Sequence, residues 1–189
     1  MHRTKRILCL LLCAALLLSM STVCLAATYS SWFQSNYDEI QKLGLMPPSF
    51  ETLDLTQNIT RGEMCELAVY AFEKATGNGL DLENETFKGF LDTSDTNIIK
   101  AHLYGIVDGY EDGTFRPDRA NTRAETMTLV NRVLGRDTIK LDSLLKDMKK
   151  WPDNADASKW FYLAVQEATN AHDSEMKNGV ETWTQLTGK

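Results

Sequence analysis

The sequence predicts an all-α, mainly helical fold assembled from three helix–loop–helix units, the third of them incomplete. Three observations carry that expectation. The tetrad Thr60-Arg61-Gly62-Glu63 returns as Thr122-Arg123-Ala124-Glu125, 62 residues later. Behind each copy, Leu67, Ala68, Ala71 and Phe72 correspond to Leu129, Val130, Val133 and Leu134, spaced i, i+1, i+4 and i+5 as on one face of an amphipathic helix. Strand signals are weak along the whole chain.

The period extends beyond the tetrads. Leu43-Gly44-Leu45-Met46 matches Tyr104-Gly105-Ile106-Val107, and Phe90-Leu91-Asp92 matches Trp151-Pro152-Asp153, each at an offset of 61. A fixed period over several independent matches marks stacked repeats. Each unit reads as an aromatic-x-Asp lead-in, a first helix ending near a glycine, a loop of roughly 15 residues, and a second helix opened by the tetrad. Helices are expected over 31–43 and 61–76 in the first unit, 95–104 and 123–134 in the second, and 157–171 in the third. A short linker helix is expected over 141–147, and no third tetrad precedes Lys189. The division is a leader at 1–26, then units at 27–79, 80–136 and 137–189.

The leader sets the compartment. Arg3, Lys5 and Arg6 precede an apolar run from Ile7 to Met20, and small Ala26 and Ala27 follow. That order reads as a secretory signal peptide cleaved after Ala26 or Ala27. The run is shorter than the roughly 20 residues of a membrane span, and Ser19, Ser21 and Thr22 interrupt its end. No span is therefore expected after cleavage. Lipid attachment at Cys24 is disfavoured by Val23, where a small residue is needed.

Cleavage makes an acidic chain more so. The net charge is −6, and loss of the three leader cations takes it to −9. Such a chain is not built for nonspecific nucleic-acid or anionic-membrane binding, so an anionic ligand must be met by a local site. Cys65 alone remains after cleavage, which excludes an internal disulfide and leaves the fold to its apolar core.

The second unit carries a known pattern. Phe90-x-Asp92, then Gly105-Ile106-Val107-x-Gly109-Tyr110-x-Asp112-Gly113-Thr114-Phe115-Arg116-Pro117, then Asn121-Thr122-Arg123-Ala124-Glu125, resembles a nearly complete S-layer homology repeat. The first unit keeps Ile59-Thr60-Arg61-Gly62-Glu63 but has Pro47-Pro48-Ser49-Phe50 in place of the Gly-Tyr-x-Asp-Gly loop. The third keeps Trp151-Pro152-Asp153 and Trp160-Phe161, then departs. The resemblance implies a pseudo-threefold helical bundle on a Gram-positive wall. Grooves between its units would bind secondary cell-wall polysaccharide, often through a pyruvylated terminal sugar.

Four tetrad residues are expected to be structural. Thr60 with Glu63, and Thr122 with Glu125, form capping boxes, worth about 1 kcal/mol per threonine. Arg61 and Arg123 are not needed for capping, and a cation beside the positive end of a helix dipole is mildly unfavourable. They are candidate partners for a ligand carboxylate, or for an Asp of the neighbouring unit. Asp112-Gly113 is expected to form a tight turn. Tyr110 either stacks on a sugar ring or packs on its own unit. Arg123, Arg61, Tyr110, Asp112 and Gly113 thus make up the candidate ligand set.

The loop from Asp108 resembles a calcium loop in part, but Tyr110 and Arg119 stand where ligands are required, so no metal is expected. No catalytic residues and no cofactor are expected either. Cys65 reads as a small apolar residue on a helix face, and Trp32, Trp151 and Trp160 as core packing, with sugar stacking the alternative. Glycan anchoring at the cell surface is the leading functional expectation. The alternative is a docking module for surface-layer proteins without bound sugar.

Overall fold

The computed structural model describes residues 27–187, so the expected leader at 1–26 lies outside the described residues. Helix α1 spans Gln34–Lys42 behind a 3-10 turn at Ser31–Phe33. Helices α2 (Arg61–Thr76), α3 (Thr96–Leu103), α4 (Arg123–Val133) and α5 (Tyr162–Thr169) follow.

Local chemistry sets the helix ends. Thr60 accepts from the Glu63 amide while Glu63 accepts from the Thr60 amide, and Thr122 and Glu125 repeat the arrangement. Helix α3 starts at Asp95, whose carboxylate accepts from the Asn97 and Ile98 amides. Gly77, at φ 70°, ends α2 in the left-handed conformation. Two expected helices shrink. The linker contracts to a 3-10 turn at Leu141–Ser143, and α5 begins only at Tyr162 because Asp156 ties the Ser158 amide and hydroxyl into a turn.

The all-α expectation fails at the C-terminus. Strands β1 (His172–Lys177) and β2 (Val180–Leu186) pair antiparallel where the second helix of the third unit would follow. Asn178 and Gly179 turn the chain with φ 52° and 78°. Left-handed values at both central residues give a turn whose twist matches that of the flanking strands. Among the described residues the fold is mixed, five α-helices and a hairpin, and they do not complete a threefold helical bundle.

Packing runs across the repeat boundaries. Helix α2 lies on α3, α4 on α5, and α2 also touches α4. The second helix of one unit therefore meets the first helix of the next. Cys65 and Val69 of α2 enclose one core with Ile98, Ala101, Phe115 and Leu129. Ile98 and Phe115, each 1% exposed, contribute about 1.5–3 kcal/mol apiece by burial. The buried face of α2 is Met64, Cys65, Ala68 and Val69, so the stripe is set a turn earlier than Leu67, Ala71 and Phe72. On α4, Leu129 is buried between α2 and α5, whereas Val130 and, just past the helix end, Leu134 are exposed; Asn131 donates to the Ala164 carbonyl at 2.9 Å.

The two tetrad entries also pair with each other. Asn121 donates to the Ile59 carbonyl at 2.8 Å, and the Arg61 and Gly62 amides donate to Arg119 and Pro117 at 2.9 Å each. The first amides of α2 are thereby occupied by backbone. Two of the three tryptophans at the repeat starts depart from expectation as well: Trp32 and Trp160 are exposed, whereas Trp151 is tied down, donating from Nε1 to the Thr169 hydroxyl.

Candidate functional site

The loop over 108–117 is held by two aspartates. Asp92, from the lead-in, accepts from the amides of Phe115 at 2.8 Å and Arg116 at 2.7 Å. The Phe115 amide, then that of Arg116, outweigh partial desolvation and hold its carboxyl below the ordinary range. Asp112 accepts from the Thr114 hydroxyl and amide and from Arg116 Nη2, which bring it down to about 2. These contacts hold Arg116 at φ 59°, a left-handed value that side-chain-bearing residues avoid. Gly109 is required by close approach, since a Cβ there would meet Phe90 Cε1 at 2.3 Å. Gly113, at φ 80°, closes the turn by donating to the Tyr110 carbonyl.

Arg61 of the first unit is fixed into this loop of the second. Its Nε donates to the Phe115 carbonyl at 2.9 Å, Nη2 to the Asp108 carbonyl at 3.1 Å, and Nη1 to Glu125 at 3.0 Å. Its guanidinium carbon lies 4.3 Å from the Phe115 ring centre. Arg119 binds the same Glu125 oxygen. Burial opposes ionisation of Glu125, but the Thr122 hydroxyl and amide and the charges of Arg119 and Arg61 outweigh it, and its carboxyl sits below the ordinary value.

A groove of about 740 Å³ opens beside this junction. Arg61, Tyr110, Asp112 and Arg116 line one side, Leu129 and Arg132 of α4 another, and Trp160 of the third unit its rim. Arg116 stands 4.0 Å from the Tyr110 ring centre, and Arg132 pairs with Asp108 at 3.0 Å. Asp108 and Asp112 are well exposed. Pairs with such carboxylates contribute at most about 1 kcal/mol, so Arg116 and Arg132 can be recruited by a ligand.

Three of the five candidate ligand residues, Arg61, Tyr110 and Asp112, therefore meet at the groove. Gly113 shapes the loop behind it, packed toward Leu91. Arg123 lies elsewhere: its Nη1 pairs with Asp153 of the third unit at 2.7 Å, with both side chains more than half exposed. Asp153 is the repeat equivalent of Asp92. The third unit lacks the loop whose amides Asp92 holds, and its aspartate takes the arginine instead.

Sequence reading missed Arg116 and Arg132, and for Trp160 it favoured core packing over the sugar stacking that its exposed position allows. Arg132 had a legible signal, since it stands seven residues after Glu125, two turns along the same face of α4. Trp160 had none, because its place on the rim depends on how the third unit meets the second.

Residues 93–127 match the family model of the S-layer homology domain. The chain is also 26% identical over 138 residues to cell surface glycoprotein 1 of Acetivibrio thermocellus. That alignment covers 69% of this chain and 6% of the relative. The chain carries a repeat of the S-layer homology family, centred on α3, the loop and the start of α4.

Proposed function

We propose that this chain is a non-catalytic module of the cell surface that holds a secondary cell-wall polysaccharide in the groove of its second unit, between Arg61 of the first and Trp160 of the third. The observation that carries the reading is the groove's lining. An exposed indole, Trp160, stands with two arginines whose carboxylate partners, Asp112 and Asp108, are themselves exposed. An amphipathic ring suits a sugar face, and a forked guanidinium suits a ligand carboxylate such as a pyruvyl ketal. The S-layer homology match and the relative's name support a place at the cell surface. An export signal at residues 1–26 fits the same reading.

Arg61 now has a supporting role. It is buried and fully engaged within the protein, and it holds the loop that bears Tyr110 and Arg116. Arg123 stands at a more open junction, where its exposed pair with Asp153 and its 5.9 Å approach to Trp151 leave it as a lesser contact for the same polymer.

Co-sedimentation with purified cell walls, before and after removal of pyruvyl groups, tests the proposal. Binding that falls on removal supports it. Equal binding to both preparations shifts recognition to the sugar face alone, and no binding to either rejects it.

A second reading, docking onto a surface-layer protein, is favoured by one feature of the first unit. A cleft of about 530 Å³ there is lined by Phe33, Ile40, Phe50, Leu53 and Leu67. Its apolar character suits a protein side chain better than a sugar.

A further inference from the structure

We propose that Glu167, His172 and Glu181 form a binding site for a divalent transition-metal ion of the zinc class, one that clamps the C-terminal hairpin to α5. The three residues come from α5, the first position of β1, and β2. Their side chains are 0%, 1% and 9% exposed. His172 Nε2 lies 3.3 Å from Glu167 Oε1 and 3.6 Å from Glu181 Oε1, and the three ligand atoms lie within 4.8 Å of one another. A tetrahedral ion with bonds of about 2.0–2.2 Å separates its ligand atoms by about 3.4 Å.

The orientation of the imidazole supplies the physical reason. Its Nδ1 is 2.7 Å from the Asn170 carbonyl, an acceptor, so Nδ1 carries the proton. In the neutral ring, Nε2 then aims a lone pair at two carboxylate oxygens inside a dry enclosure. That contact is repulsive unless a proton on Nε2 or a metal cation stands between the three groups, and only the metal cation can bond all three at once. A backbone carbonyl behind the imidazole is also how metal-bound histidines are oriented.

The surroundings support the same geometry. Trp183 Nε1 donates to Glu167 Oε2 at 2.8 Å, Ser174 Oγ donates to Glu181 at 2.6 Å, and the Trp183 ring stacks on His172 at 4.1 Å. One imidazole nitrogen and two carboxylate oxygens suit Zn²⁺ or Mn²⁺; Ca²⁺ requires six to eight oxygens. Arg136 also reaches Glu167, from a half-exposed position, and competes with the ion for that carboxylate. An ion here ties helix to hairpin in the unit where the hairpin has replaced a second helix, so binding stabilises that unit.

The test is calorimetric titration of the EDTA-stripped full chain with Zn²⁺ at neutral pH, alongside thermal unfolding. One ion per chain is expected, with a rise in Tm, and Co²⁺ in its place should give visible ligand-field bands. His172→Gln should abolish the uptake, and Glu181→Gln should weaken it at least about tenfold, since even groups behind the ligands are worth that much. Arg136→Gln should tighten it by removing a competing cation, an effect that a purely structural cluster would not show. A folded chain that takes up no Zn²⁺ at millimolar concentration overturns the proposal. So does uptake unchanged in His172→Gln. If that variant does not fold, Glu181→Gln in β2 decides the question in the same way.

Discussion

Nη1 of Arg61 lies 3.0 Å from Oε1 of Glu125, so the arginine of the first tetrad is bound to the capping carboxylate of the second. Glu125 therefore has two duties. One oxygen caps α4 through Thr122, and the other receives Arg61 and Arg119. Helix capping and the contact between units are one network, and its strength is not shared equally by the two repeated arginines.

Arg61→Ala should destabilise the protein by about 2–4 kcal/mol, because the Phe115 and Asp108 carbonyls lose their donor and a mostly buried ion pair is broken. Arg119 remains on Glu125, which keeps the loss below that of an orphaned buried charge. Arg123→Ala should cost under about 1 kcal/mol, because its pair with Asp153 is exposed. Urea unfolding of the two variants checks the ordering. Equal midpoints would show that the Arg61 network is worth no more than a surface contact.

Acid should weaken the fold in a defined window. Burial opposes ionisation of Glu73 and Glu125, yet hydrogen bonds and neighbouring cations hold both below their ordinary 4.5, and Asp112 is held at about 2 against an ordinary 3.8. A carboxylate with a depressed folded value contributes stability that is complete above its unfolded value and is lost as pH falls through the folded one. Urea midpoints should therefore be level from neutral pH to about 4.5 and then fall continuously toward pH 2. Asp112→Asn should flatten the lowest part of that fall. Midpoints that rise on acidification would contradict the assignment.

Cys65 should be inert in the native state. It is fully buried between α2 and its neighbours, and burial pushes the thiol up to about 12, so almost no thiolate exists at neutral pH. A disulfide reagent should label it only after addition of urea. Rapid native labelling would mean that α2 does not sit in the core through this face.

What could be read beforehand follows from the range of the interactions. The capping boxes were legible because Thr60 and Glu63, or Thr122 and Glu125, act within three residues of each other. Cys65 was legible as an apolar helix position for the same local reason. The exposed Trp32 and Trp160 were not, because the partners that would cover them must come from other units. The hairpin did have a local signal, Asn178-Gly179, but the charged residues of β1 lack the apolar alternation of a half-buried strand. The proposed metal ligands were not legible because 167, 172 and 181 converge only after helix, strand and turn are all in place. Arg123 takes the alternative the sequence left open, an Asp of the neighbouring unit, whereas the loop that seals Arg61 is missing from the third unit: repeat identity did not carry over to repeat environment.

The groove itself gives the last prediction, and it separates chemistry from shape. Trp160→Ala should weaken wall binding by about 3–10-fold with little change in stability, because the indole is two-thirds exposed and only its ligand face is lost. Arg132→Ala should weaken it by about 10–100-fold if a ligand carboxylate takes its guanidinium from Asp108. Arg132→Lys should restore only part of that, since an ammonium cannot make the two-pronged contact. Gly109→Ala is the shape control: its methyl would strike Phe90, so the loop must shift and binding and folding should fail together. Loss of binding in Trp160→Ala and Arg132→Ala at unchanged stability places recognition in the groove. Full binding by both variants would move it away from there, and the exposed junction of Arg123 with Asp153 would be the next surface to test.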